Sequence, residues 1–427
     1  MTDDATTRGD RSGDSDCDRD PDPDSGHDLD SAPGVAPDET IDLLQELVRI
    51  PSPYFEEAEI SEFVYDWLDA RGHDPEYHHV SEPDITEYEG DNVVARLAGS
   101  DPDAPTLLLN AHMDTVKLVE DWDEDPCSGR IEDGKLYGQG ACDMKGGLAA
   151  VMTAFDALAD CDLAGDVLLT AVVDEEGPYG LGTDRLIRDG VVDDCDAAIV
   201  TEPGPILAQE DIENPALLLG ARGRYFYDIE VRGQAAHGSK PDTGVNAVVE
   251  AGRLAAALDD LDVGDHPKLG SGSTCPLKIE GGSQTLSVPE RARLMVDRHV
   301  VVGETLEDAR ADAERAVEEL GLESEVDVGF REAPDEGIRY GPYVTDEDHP
   351  LVSALTDSTR AVAGTDPAYG YFSSVGDFNY LGDRAGLPTV IVGPDGENIH
   401  AAGEFVFTDD VVEVADIVAD AAVRFLG

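Results

Sequence analysis

TLLLNAHMD, residues 106–114, sets the reading of the whole chain. Its first six residues are almost continuously apolar, the mark of a strand buried on both faces in a parallel sheet covered by helices. The run then stops at His112-Met113-Asp114, so polar groups arrive where a buried strand ends. Three more runs repeat the arrangement. VLLTAVV (167–173) leads into Asp174-Glu175-Glu176-Gly177, DAAIVT (196–201) into Glu202-Pro203, and LPTVIVG (387–393) into a loop that reaches His400. Between them, TIDLLQELVRI (40–50), GLAAVMTAFDALA (147–159) and a final stretch around 409–426 carry apolar residues at helical spacing. The expected fold is α/β, a mainly parallel sheet with helices on both faces.

The glycine-rich GQGACDMKGG (138–147) stands apart from this alternation. Glycine allows a tight turn and a close backbone approach, so Asp143 is held at a fixed point with little bulk around it. In α/β proteins ligands gather at the C-terminal edge of the strands. Five segments therefore deliver His112, Asp143, the 174–176 acidic run, Glu202 and His400 to one rim. Taken singly, each has an ordinary structural reading: a satisfied buried histidine, a turn, a solvated loop, a helix start, a surface histidine. Their coincidence at strand ends is what points to chemistry. Carboxylates kept ionised at close quarters need a cation between them. Imidazole together with carboxylate suits zinc or a similar divalent ion. The donor count suggests two ions, with Asp143 shared between them.

Residues 218–332 have a different texture. GRYFYDIEVRG (223–233) alternates like a half-exposed strand, LKIEGG (277–282) and RARLMVDRHVV (291–301) read as strands, and NAVVEAGRLAAALDDL (246–261) and TLEDARADAERAVEELG (305–321) read as helices. This is the pattern of a smaller α+β domain inserted into the first. The expected organisation is an acidic disordered tail over 1–37, a catalytic domain over 38–217 and 333–427, and the inserted domain over 218–332.

Charge limits the partners. The 427 residues hold 29 Lys+Arg against 94 Asp+Glu, a net charge of −65, and lysine is scarcer than arginine. Such a field repels nucleic acid and anionic membranes. It is the composition expected of a halophilic, haloarchaeal protein, whose self-repulsion is screened by salt. No stretch has the apolar length of a membrane helix, and no apolar leader opens the chain. The six scattered cysteines form no C-x-x-C pair, which fits a reduced, cytoplasmic protein.

HMDTV (112–116), GQGACDMKGG (138–147), DEEG (174–177), TEP (201–203), AAHGSKPDTGVNAV (235–248), VDRHVVVGE (296–304) and IHAAGEFV (399–406) together resemble one metallohydrolase family. It is the M20 peptidase family of acetylornithine deacetylase, succinyl-diaminopimelate desuccinylase, aminoacylase and glutamate carboxypeptidase. The resemblance runs from about residue 40 to the C-terminus. It implies a zinc-peptidase-like catalytic domain with an inserted lid that serves dimerisation, hence a homodimer. It implies two divalent ions, zinc first, with cobalt or manganese tolerated. His112 and Glu202 would hold one ion, Glu176 and His400 the other, and Asp143 both. Asp114 would orient His112, and Glu175 would be the general base for a water held between the ions. His237 would steady the oxyanion, in cis or from a partner subunit, and Arg298 would bind the substrate's carboxylate.

The implied reaction is hydrolysis of the amide of an N-acyl amino acid, of the deacetylase or desuccinylase type. A carboxypeptidase or dipeptidase of the same family is the near alternative. A non-catalytic metal-binding homologue is the alternative from another class, and the retained Glu175 argues against it. A metallophosphatase would need a cluster of cations beside the site, which the sequence lacks there. Two departures from the family are visible. GGSQTLSVP (281–289) lacks the asparagine many members carry, and GPDG (393–396) places Asp395 where many read G-P-G. Asp395 would favour a cationic side chain in the substrate. GYFSSVGDFNYLGD (370–383) falls where the family has a loop facing the active site, with Ser373, Ser374 and Asp377 as its polar residues.

Overall fold

The computed structural model describes residues 34–209, 212–282, 286–334 and 339–427. A nine-stranded sheet forms the body, ordered Glu76–Glu82, Tyr88–Leu97, Asp166–Val172, Thr106–His112, Ala197–Val200, Thr389–Ile391, Ala216–Ala221, Tyr343–Val344, with Ala368–Phe372 also pairing Ala216–Ala221. The four central strands, Asp166–Val172 to Thr389–Ile391 in that order, run parallel. Antiparallel pairs close the margins. Every residue of Thr106–His112 is buried, as its apolar run demands. Helices Pro37–Arg49, Gly146–Leu158 and Thr408–Leu426 pack together against one face, and Leu44, Leu47, Leu148, Phe155, Val418 and Leu107 share that core. The other face covers Leu108, Leu168, Val172 and Ile391 with Leu186, Phe378 and Leu381.

A second, four-stranded sheet stands apart, ordered Ser273–Gly281, Arg291–Val300, Gly223–Arg232, Glu325–Phe330. Helices Ala247–Asp259 and Leu306–Leu320 cover one side of it and build a separate core around Tyr227, Leu254 and Leu294. Their starts follow local rules. Asn246 accepts hydrogen bonds from the N–H groups of Val248 and Val249, and Thr305 forms a capping box with Asp308.

Gly223–Arg232 lies inside the lid sheet, bonded to Arg291–Val300 on one side and Glu325–Phe330 on the other. One edge of the sheet is Ser273–Gly281, with Leu277 and Ile279 open to solvent. Two expected boundaries need correction. Ala216–Ala221 belongs to the body sheet, so the crossing into the lid falls at 222 rather than 218. The 1–37 tail lies mostly outside the described residues. Within them Val35 is already buried and donates its N–H to Asp416 at 2.7 Å, so order begins before residue 37. Among the described residues no helix is long and apolar enough to cross a membrane, and the five cysteines there are free.

Candidate metal centre

The turn that carries Asp143 is built by its glycines. Gly140 has φ +75°, and a side chain there would strike Thr115. Gly147 lies so close to the end of Ala197–Val200 that an added Cβ would sit 1.9 Å from the Thr201 carbonyl oxygen. The helix Gly146–Leu158 can therefore start directly against the segment bearing Glu202. Glu404 fixes the turn from below. Its buried carboxylate accepts the N–H groups of Gly140, Cys142 and Asp143 at 2.8, 3.0 and 3.1 Å. Sequence reasoning missed Glu404. The only signal was an acid among small residues four positions after His400.

Four strand ends and this turn then meet. His112 Nε2 lies 3.3 Å from Asp143 Oδ1, 3.5 Å from Glu202 Oε1 and 3.8 Å from Glu175 Oε2. On the other side His400 Nε2 lies 3.3 Å from Asp143 Oδ2 and 2.8 Å from Glu176 Oε1. The two oxygens of Asp143 are thus divided between the two histidines. Two groups of donor atoms within 4.8 Å of one another occur among the described residues: His112 with Glu175 and Glu202, and His112 with Asp143 and Glu176. A mixed imidazole and carboxylate set with this spacing fits divalent ions. By distance alone Glu175 also stands as a donor beside His112.

Asp114 contacts the site through both its backbone and its side chain. His112 Nδ1 donates to the Asp114 backbone oxygen at 3.0 Å, which turns Nε2 toward the carboxylates. The Asp114 carboxylate accepts the N–H groups of Glu175 and Glu176 at 3.1 and 2.9 Å. One buried aspartate therefore registers the histidine against both acids of the neighbouring strand end.

The electrostatics are those of a cluster waiting for positive charge. Burial pushes the Glu202 and Glu175 carboxyls well up, and burial with the nearby Asp143 charge pushes Glu176 up to about 7. Burial opposes charge on Asp143 too, but hydrogen bonds from His112 and His400 hold it below the usual carboxylate range. The bonds that His400 donates to Asp143 and Glu176 raise its own pKa to about 10. Behind the cluster Asp377 is 2% exposed, and among the described residues neither of its oxygens has a hydrogen-bond partner. Burial pushes its carboxyl up to about 7.

A cavity of about 490 Å³ opens on the site. Asp143, Glu175, Glu176, Glu202 and His400 form its floor, and Ile206, Leu207, Phe372, Phe378 and Ile399 give it apolar walls. Ser374 lines it, while Ser373 is turned to the Leu207 carbonyl and Asp377 lies buried behind. Asp395 does not line it; its side chain accepts the Gly396 N–H. Residues 283–285 of GGSQTLSVP lie outside the described residues.

Two expected residues are not brought here. His237 is exposed in a lid turn, its Nδ1 2.8 Å from Ser239 Oγ. The reading of Arg298 as a carboxylate clamp finds no support. It projects to the helix-covered side of the lid sheet, fully buried, and its guanidinium is bound to Glu304 and the His299 carbonyl, with Asp312 at 3.9 Å. Its Nε–H has no partner among the described residues, but the side chain is enclosed in the lid and its charge is already met by Glu304.

Comparison with known proteins agrees with this geometry. Residues 108–424 match peptidase family M20/M25/M40, and the chain belongs to that family. It is 31% identical over 366 residues to the N-formyl-4-amino-5-aminomethyl-2-methylpyrimidine deformylase of Bacillus subtilis, covering 78% of this chain and 83% of that one. It is 28% identical to the succinyl-diaminopimelate desuccinylase of Methylobacterium radiotolerans, covering 90% and 94%. A dinuclear metal-binding M20 peptidase from Bacillus subtilis superposes with a TM-score of 0.68 at 16% identity, over 91% and 98% of the two chains. The chain is a hydrolytic enzyme acting on amide bonds, with a candidate site for metal ions.

Proposed function

We propose that the chain hydrolyses the amide bond of an N-acyl amino acid, using two divalent ions and Glu175 as general base. The observation that carries this reading is the division of the Asp143 oxygens between His112 and His400, each at 3.3 Å. His112 and Glu202 would hold one ion, Glu176 and His400 the other, and Asp143 both. Zinc is the ion proposed, with cobalt or manganese able to use the same donors. Bound there, such ions supply an acidified water and a polarised amide carbonyl. Glu175 then has the protein's part of the chemistry. Enclosed and held above its usual pKa, it accepts a proton and returns it to the leaving amine nitrogen. Asp114 keeps Glu175 in register through the backbone bond at 3.1 Å.

His237 would complete the oxyanion site from a second copy of the chain, joined through the exposed lid edge at Leu277 and Ile279. Light scattering at the mass of one chain would remove that element of the reading. The cytoplasm is the proposed location, and a salt-rich one in view of the −65 charge.

A second substrate class is favoured by two observations. The deformylase relative is named for an N-formyl aminomethylpyrimidine, and Arg298 is closed off from any substrate carboxylate. The amine side would then be a flat heteroaromatic group against the apolar walls. Turnover rates for N-acetyl, N-succinyl and N-formyl amino acids, for an N-formyl aminomethylpyrimidine and for dipeptides, measured with added Zn²⁺ or Co²⁺, test both. Fastest turnover of an N-acyl amino acid supports the first reading. Fastest turnover of the pyrimidine replaces it with the second, and preference for dipeptides rejects both.

A further inference from the structure

A second cavity, of about 550 Å³, lies where the lid joins the body. Both crossings of the chain pass its wall. The outgoing crossing contributes Arg224, Tyr225 and Phe226, and the returning one Phe330, Arg331 and, further on, Arg339 and Tyr340. The crossings are tied to each other, the Arg224 N–H to the Tyr340 carbonyl at 2.8 Å and the Arg331 N–H to the Phe226 carbonyl at 2.9 Å. The body closes the cavity with Pro178 and Tyr179, a few residues beyond Glu175, and the Tyr179 hydroxyl donates to the Glu332 carbonyl at 3.0 Å.

Its charge is the reverse of the rest of the molecule. Among the described residues four arginines, Arg224, Arg310, Arg331 and Arg339, line it against one carboxylate, Glu307. The whole chain has only 29 basic residues to 94 acidic ones. Most arginines among the described residues sit within 4.0 Å of a described carboxylate; Arg310, Arg331 and Arg339 are among the few that do not. Arg310 gives one N–H to the Val328 carbonyl at 2.8 Å, and Arg224 gives Nε to Asp297 at 3.2 Å. The aromatic groups take the planes of the guanidinium groups. Arg331 lies 5.2 Å from the Tyr179 ring centre and 5.7 Å from that of Phe226, one ring from the body and one from the lid. Arg224 stacks on Phe226 at 4.4 Å and Arg310 on Phe330 at 4.8 Å. An arginine stacked on a ring keeps its in-plane N–H fork for a carboxylate or phosphate.

We propose that this cavity binds a small organic anion carrying a planar ring, and that the bound anion ties the lid to the body. The arginine forks take the acid group, and Tyr179 and Tyr340 take the ring. The volume suits a ligand of metabolite size. Because the ligand touches both chain crossings, it biases the setting of the lid over the metal centre without entering the cavity described there.

Calorimetric titration with phenyl phosphate and with inorganic phosphate tests this, at the salt concentration of maximal thermal stability. Phenyl phosphate is expected to bind at least roughly tenfold more tightly than inorganic phosphate. The double variant Arg331→Gln/Arg339→Gln, both exposed positions, should melt as the wild type does and lose roughly tenfold or more in phenyl phosphate affinity. Glu307→Gln should tighten binding. In turnover assays phenyl phosphate should change kcat rather than compete with substrate. Absence of binding up to roughly 10 mM, equal binding by the double variant, or purely competitive inhibition would each overturn the proposal. The titrations need no turnover, so failure of the proposed hydrolysis leaves them decisive.

Discussion

Asp143 is the residue on which the site turns, and the consequence can be measured. Replacing it with Asn removes the charge and one of the two oxygens that face the histidines. Asp143→Asn, loaded in excess zinc and desalted, should retain at most one ion per chain where the wild type retains two, by elemental analysis. Asp377 gives a second prediction, about pH. Its carboxyl ionises near 3.8 in the unfolded chain but is pushed by burial to about 7 in the fold. As pH rises through that interval the unfolded chain gives up the proton first, so stability falls with rising pH. Asp377→Asn removes this loss. The metal-free variant should be more stable than metal-free wild type at pH 8, by roughly 1–3 kcal/mol in denaturant titration, and no more stable at pH 4. At this scale the sequence was legible wherever a polar residue followed a buried strand, as with His112, Glu175, Glu176 and Glu202. The burial of Arg298 was not anticipated although its signal was present. In RARLMVDRHVV it shares the parity of Ala292, Leu294, Val296 and Val300, all buried, so alternation alone places it on the covered face.

Elements bring these residues together through close approach as much as through pairing. The start of Gly146–Leu158 reaches the Glu202 segment because Gly147 has no side chain. Gly147→Ala would drive a methyl into the Thr201 carbonyl and push the helix off the strand end. Backbone cannot move aside cheaply, so the variant should lose roughly 1–3 kcal/mol in stability. It should also hold zinc more weakly than wild type, measured by competition with a chelator. A helix elsewhere on the surface that lost stability alone would not show the second effect. Continuous apolar runs made Thr106–His112 and Asp166–Val172 readable as strands. Glu76–Glu82 was not, because EYHHVSE is largely exposed at the sheet margin and carries no apolar period. Ala216–Ala221 is apolar throughout and fully buried, yet its nearness to the half-polar strands of the lid drew the expected boundary a few residues early.

The whole molecule is governed by its charge. At −65, self-repulsion acts on every exposed face in dilute buffer, where the screening length is about 10 Å at 0.1 M salt and about 3 Å at 1 M. The melting temperature should rise by several degrees or more as KCl goes from roughly 0.1 M to molar levels. A flat or falling profile would remove the halophilic reading. The division into body and lid was legible as a change from continuous to alternating strands. The join was not, since its cavity is assembled from residues far apart in sequence, from Tyr179 to Tyr340.

The central claim is that Glu175 moves the proton in a reaction that the metal centre makes possible. The direct test compares wild type and Glu175→Gln on the fastest substrate of the panel, both loaded with zinc and checked for equal ion content. Two ions are expected on each protein, with turnover lowered by roughly 10²–10⁴ in the variant. Equal ion content with turnover within a few-fold of wild type would contradict it.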